Sequence, residues 1–155
     1  MKGEKTVTAQ EMWKAYCMAM GTEETEYEAW PFGDDPDMLA ALVLAGKKRA
    51  TSSAYDLYAL EGENIPEKGD KSVILSSRDE AVCIIENTAV SVLPYDEVTP
   101  EMAAMEGEGD GSQAYWRQVH ERFFRQDMAQ SGLCFHEKMP VVFEQFRVIW
   151  PVKKG

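Results

Sequence analysis

The run Gly46-Lys47-Lys48-Arg49-Ala50-Thr51-Ser52-Ser53 sets three cations and three hydroxyls one after another behind a glycine. Glycine lets the backbone turn sharply there. A lysine three residues before a threonine suggests a base and a nucleophile. Burial in a cleft lowers a lysine pKa, so that Lys48 could take a proton. A hydroxyl beside such a base, Thr51, could then attack a carbonyl. The plainer reading is a helix C-terminus with Lys47, Lys48 and Arg49 placed favourably against its dipole. At the level of local chemistry both readings stand.

A second constellation follows sixty residues later. Glu106-Gly-Glu108-Gly-Asp110-Gly111 imitates the opening of a calcium loop, but its twelfth position is Arg117, where such a loop needs glutamate. An acidic helix N-terminus capped by Asp110 or Ser112 is the ordinary alternative. The backbone N–H groups at Gly111-Ser112 suit a phosphate, which Lys48, Arg49 and Ser112 could hold together. His120 lies one turn after Trp116, and His136 two residues after Cys134. Neither pair supplies three or four converging ligands, so no metal site is expected. Trp116 is a candidate for stacking a base, with core packing as its alternative. Tyr55 and Tyr58, after the hydroxyl run, either line a cleft or seal the core.

The charge balance limits the partners. Sixteen Lys and Arg against 27 Asp and Glu leave −11. So acidic a chain repels polyanions at long range, so any nucleic-acid contact must be local. Lys47, Lys48 and Arg49 are the densest basic patch. A small neutral ligand is the other solution. Cys17, Cys83 and Cys134 are odd in number and widely spaced, which suggests neither a disulfide framework nor a zinc knuckle. The opening residues MKGEKTVTAQEMW carry no apolar signal core and no run reaches membrane-spanning length, so a cytoplasmic protein with no membrane partner is expected.

Several elements must position these residues. A helix from Thr8 to about Met20 is marked by Thr8 and Glu11 at capping-box spacing and by Gly21. Residues 22–35 read as an irregular acidic segment tacked down by Tyr27, Trp30 and Phe32. Asp35, Pro36 and Gly46 bracket a buried second helix. Residues 47–53 read as extended and 54–60 as one or two helical turns. Strands are expected at 72–77, 81–93 and 141–150. Thr99-Pro100 opens a short helix, residues 107–111 break the chain, and a long helix covers about 112–131. Strands interleaved irregularly with helices argue an α+β fold with a small, curved, mixed or antiparallel sheet. One domain is expected over 1–155, with about 1–34 an N-terminal extension.

LVLAGKKRATSSAYDLY, with Gly46-x-Lys48-x-x-Thr51 inside it, resembles the signature of the ASCH domain family, a branch of the PUA-like β-barrels. AWPFGDDPDMLAALVLAGKKRATSS resembles the entry of larger bacterial members, and YDEVTPEMAAMEGEGDGSQAYWRQVHERFF their second signature. The resemblance implies a small PUA-like barrel of about five or six strands ringed by helices, with a cleft where the two signatures meet. It implies a nucleoside or short single-stranded RNA as partner. In family members that are amidohydrolases of N4-acetylcytidine, the working lysine, threonine and glutamate fall here on Lys48, Thr51 and Glu106. The last matches through Thr99, Ala103 and Glu106. The resemblance therefore implies a hydrolase of an acylated nucleoside, with Lys47, Arg49, Ser53, Tyr55, Ser112 and Trp116 toward the substrate and no resident cofactor. RNA binding or cleavage in the same cleft, with Mg²⁺ shared with substrate phosphates, is the alternative. A non-catalytic adaptor is the third.

Overall fold

The computed structural model describes residues 6–24 and 26–152. Residues 1–5 and residue 25 of the expected N-terminal extension lie outside that range. The elements, in order, are α1 (Ala9–Met20), β1 (Glu28–Pro31), α2 (Pro36–Leu44), β2 (Ala50–Ala54), α3 (Tyr55–Leu60), β3 (Lys71–Leu75) and β4 (Ala81–Pro94). A 3₁₀ turn (Tyr95–Glu97), α4 (Pro100–Glu106), α5 (Gln113–Ala129) and β5 (Pro140–Trp150) follow.

Local chemistry explains the helix ends. Thr8 and Glu11 form the reciprocal capping box of α1. Asp35 caps α2 ahead of Pro36, and Thr99 caps α4 ahead of Pro100. Gly46 and Gly107 take positive φ just past α2 and α4, where a side chain would be strained.

The five strands form one curled, half-barrel sheet in the order β1-β3-β4-β5-β2. β1 runs parallel to β3, and the other pairings are antiparallel. β4 is a shared spine: its first half pairs with β3, and nearly its whole length pairs with β5. Register shifts between Ile84 and Ile85 and between Asn87 and Ala89 bend it, as bulges do. Glu28, on the far edge strand, acts electrostatically on Tyr58 and Glu144 near the opposite edge, so the curl brings the two edges toward each other.

Three apolar clusters hold the layers. Trp13 and Tyr16 of α1 cover Val73, Leu75 and Ile84. Leu39, Ala40 and Val43 of α2 pack with Phe32, Ile74, Ile85 and Phe146. Trp116, Phe124 and Met128 of α5 pack with Ala54, Leu57, Val98, Ala103 and Val141. Burying each large side chain contributes about 1.5–3 kcal/mol.

One expected element differs. Part of the segment read as irregular, residues 28–31, is the edge strand β1. Its four residues include one acid and end on Pro31, which an edge strand tolerates and which hides the strand from a propensity reading. The remaining elements fall within a few residues of their expected places.

Candidate functional site

The Gly46–Arg49 segment is held by backbone on both sides. Lys47 N and Lys48 N donate to Leu42 O at the end of α2, Arg49 N donates to Met105 O of α4 at 2.7 Å, and Arg49 O accepts from Phe146 N of β5 at 3.0 Å. The approach to α4 is so close that a Cβ on Gly107 would lie 2.0 Å from Lys47 O. Only glycine fits there, which joins the two expected signatures through bare backbone.

Glu106 ends α4 on its buried side and gathers the ionic contacts. Lys48 Nζ lies 3.2 Å from Glu106 Oε1 and 2.8 Å from Glu108 Oε2. Trp116 Nε1 donates to Glu106 Oε2 at 2.8 Å, and the Ser52 hydroxyl donates to the same oxygen. His120 Nε2 is 3.3 Å from Glu106 Oε1, while its Nδ1 is 2.9 Å from Trp116 O. A carbonyl and a carboxylate can only accept, so this geometry requires a proton on each ring nitrogen.

The electrostatics agree with that reading. Burial pushes Glu106 up, but Lys48 and then His120 outweigh it, and its carboxyl is held at about 2. Burial pushes His120 down, and the charge of Glu106 more than reverses this, so its pKa is raised. The cluster therefore balances two cations, Lys48 and His120, with two carboxylates, Glu106 and Glu108. Lys48 also sits over the Phe32 ring, 5.3 Å from its centroid.

Glu106, Glu108 and His120 offer ligand atoms within 4.8 Å of one another, and would hold a divalent cation only with the His120 Nε2 proton removed. The Lys48 ammonium already lies between the two carboxylates and supplies positive charge at that point. Above this buried cluster lies an open cleft of about 500 Å³, lined by Gly46, Lys47, Arg49, Ala104, Gly107, Gly109, Asp110 and Gly111.

The sequence-based candidates separate as follows. Lys48 and Glu106 meet as the resemblance implies, but Lys48 is only 2% exposed and is engaged as a donor to two acids rather than pointing into the cleft. Thr51 does not join them. Alternate strand residues face opposite ways, and the hydroxyl on the Lys48 side of β2 is that of Ser52. Lys47 and Arg49 are exposed on the cleft wall.

Trp116 is 2% exposed, stacked on His120 and bound to Glu106, so it offers no face to a base. Ser112 caps its own helix by accepting from Tyr115 N, and its N–H donates to Asp110, which uses both groups expected for a phosphate. The Ser53 hydroxyl is shared with Tyr58, and Tyr55 is 39% exposed outside the cleft lining.

Ser52, Glu108 and His120 are the participants that the sequence reading missed. The signal for His120 was present: Trp116, His120, Phe124 and Met128 recur every four residues and form the buried stripe of α5.

The sequence-family comparison matches an ASCH domain model over residues 28–150. The chain belongs to the ASCH domain family. Its α+β half-barrel is the PUA-like fold of that family. Two solved structures are similar over nearly their whole length. The ASCH domain from Lactobacillus crispatus JV V101 is 34% identical with a TM-score of 0.83, covering 90% of this chain and 92% of its own. A protein from Enterococcus faecalis V583 is 30% identical with a TM-score of 0.84, covering 90% and 86%. No curated protein matches the chain by sequence. None of the helices among the described residues is long and apolar enough to cross a membrane.

Proposed function

We propose that this ASCH domain is directed at a nucleoside or a short single-stranded RNA, which it holds in the cleft between residues 46–49 and 104–111. The observation that carries this reading is the placement of Lys47 and Arg49, exposed on the wall of a roughly 500 Å³ cleft in a protein of net charge −11. The paired cations Lys48 and His120 are spent on Glu106 and Glu108 below. Lys47 and Arg49 therefore give the cleft its local attraction for a phosphate, and the glycine-rich opposite wall lets a ligand approach the backbone. The test is binding of a short single-stranded RNA and of free nucleosides by calorimetry. Lys47→Ala combined with Arg49→Ala should weaken RNA binding at least tenfold while leaving thermal unfolding unchanged. Wild-type protein that binds neither ligand refutes the reading.

A second reading is hydrolysis of an acylated nucleoside such as N4-acetylcytidine. It is favoured by the contact of ammonium, carboxylate and hydroxyl at Lys48, Glu106 and Ser52, the groups that an amide hydrolase needs. The expected result is release of acetate from N4-acetylcytidine by wild type, lost in Lys48→Ala and Glu106→Ala. An RNA-cleaving variant of the same reading would require added Mg²⁺, so the assay is run with and without it.

A further inference from the structure

The turn that follows α4 is pinned on several sides. Gly107 presses on Lys47 O, where a Cβ would stand 2.0 Å away, and a Cβ on Gly109 would stand 2.5 Å from the Tyr115 ring. The Glu108 carboxylate reaches Lys48 at 2.8 Å, and the Glu108 carbonyl accepts from Gly111 N at 2.9 Å. Asp110 Oδ1 accepts from Ser112 N at 2.9 Å. A turn held in this way has set its backbone donors before any ligand arrives.

Two of those donors have nothing to bond. Among the described residues no acceptor meets Glu108 N or Gly109 N. Successive N–H groups in a turn are a recurring anion cradle. Gly107, Gly109 and Gly111 line the cleft without side chains, so a ligand can come up to the backbone. Lys47 and Arg49 stand exposed on the facing wall, and neither has a carboxylate partner among the described residues. Asp110 is the one acid in the cleft lining. Its carboxylate is drawn back to Ser112 at the start of α5, where the helix end offsets part of its charge. A second hollow of about 120 Å³, between the end of α3 and α5, is walled by Glu61, Glu63 and Asp127 and repels an anion. Tyr58 on its wall also feels Glu144, a carboxyl that burial pushes up to about 7.

We propose that the 46–49/104–111 cleft binds a phosphomonoester, the terminal phosphate of a nucleotide or of an RNA end. Lys47 and Arg49 hold it from one wall, and the Glu108 and Gly109 N–H groups from the other. The proposal rests on the nucleoside or RNA reading above and narrows it to one class of phosphate. A monoester offers three terminal oxygens to an ammonium, a guanidinium fork and two N–H groups, whereas an internal phosphodiester offers two. A monoester also carries about −1.5 to −2 at pH 7, which two cations match and which a diester does not reach.

The test is calorimetry with the common ribonucleosides, their 5′-monophosphates and the methyl esters of those phosphates. A short RNA bearing a 5′-phosphate, a 3′-phosphate or hydroxyls at both ends completes the set. A monophosphate or a phosphorylated RNA should bind at least ~30-fold more tightly than its ester or hydroxyl counterpart. A preference confined to the free monophosphates assigns the site to mononucleotides, and one confined to the RNAs assigns it to a strand end; either upholds the proposal. Lys47→Ala and Arg49→Ala should each weaken the preferred ligand at least ~10-fold. Asp110→Asn keeps the acceptor for Ser112 and should tighten that ligand about 3-fold by removing the opposing charge. Thermal melts check each fold. Equal binding of phosphorylated and unphosphorylated ligands overturns this inference and leaves the cleft reading standing. A phosphate preference that survives the Lys47→Ala, Arg49→Ala double variant places the phosphate elsewhere and overturns it as well. Binding of no ligand overturns both.

Discussion

Glu106 receives Lys48, His120, Trp116 and Ser52 in a site that is 1% exposed. Removing its charge leaves two buried cations with one carboxylate. Glu106→Gln should therefore destabilise the protein by about 3–5 kcal/mol, measured by urea unfolding. The double variant with Lys48→Met should lose less than the sum of the singles, because each partner's burial cost is relieved by the other's removal.

The titrating groups set two opposite limbs of stability. Glu106 has a depressed pKa, so its contribution is present above about 4.5 and is lost as pH falls toward about 2. His120 has a raised pKa, so its contribution is present below about 6.5 and fades as pH rises through its higher folded value. Glu144 is raised from 4.5 to about 7, so the folded state binds the extra proton between those values. Stability should fall by about 3 kcal/mol as pH rises across that window. Melting curves from pH 4 to 9 should show this loss in wild type and its reduction in Glu144→Gln.

At the scale of elements, the site depends on α4 docking against the Gly46–Arg49 segment. The docking is made by backbone: Arg49 N to Met105 O, and Gly107 pressed on Lys47 O. Gly107→Ala places a methyl where only 2.0 Å is open, at a φ of 67°, and the obstacle is backbone that cannot swing aside. The expected cost is about 2 kcal/mol or more. Thr99→Ala removes the cap at the other end of the same helix and should cost about 1 kcal/mol without touching the cleft. Comparing thermal unfolding and ligand affinity separates them: Gly107→Ala should lower both, Thr99→Ala stability alone.

At the scale of the molecule, the charge of −11 and the two exposed cations on the cleft wall predict weak salt dependence. Two phosphate contacts on a single strand give a slope of log K against log salt of about −1.4, far from that of a broad basic surface. Titrating a short RNA at several salt concentrations measures it, and a steep slope would mean a larger phosphate-binding surface than Lys47 and Arg49 provide. The curl that brings Glu28 near Tyr58 and Glu144 also concentrates acid on the other side of β2.

Much of this was determined by the sequence alone. Thr8, Asp35, Thr99 and Ser112 announced the helix starts, and Gly46 and Gly107 the exits, because caps and positive φ are local steric matters settled within a few residues. The meeting of Lys48 with Glu106 was legible through the two signatures. Tertiary structure alone decided which hydroxyl they meet. The faces of β2 are assigned by its register on β5, ninety residues away, and a period of two sends Ser52 to Glu106 and Thr51 to Glu144. The same non-local packing brought in Glu108 and His120, hid Trp116, and made a strand of residues 28–31 by giving them β3 to pair with.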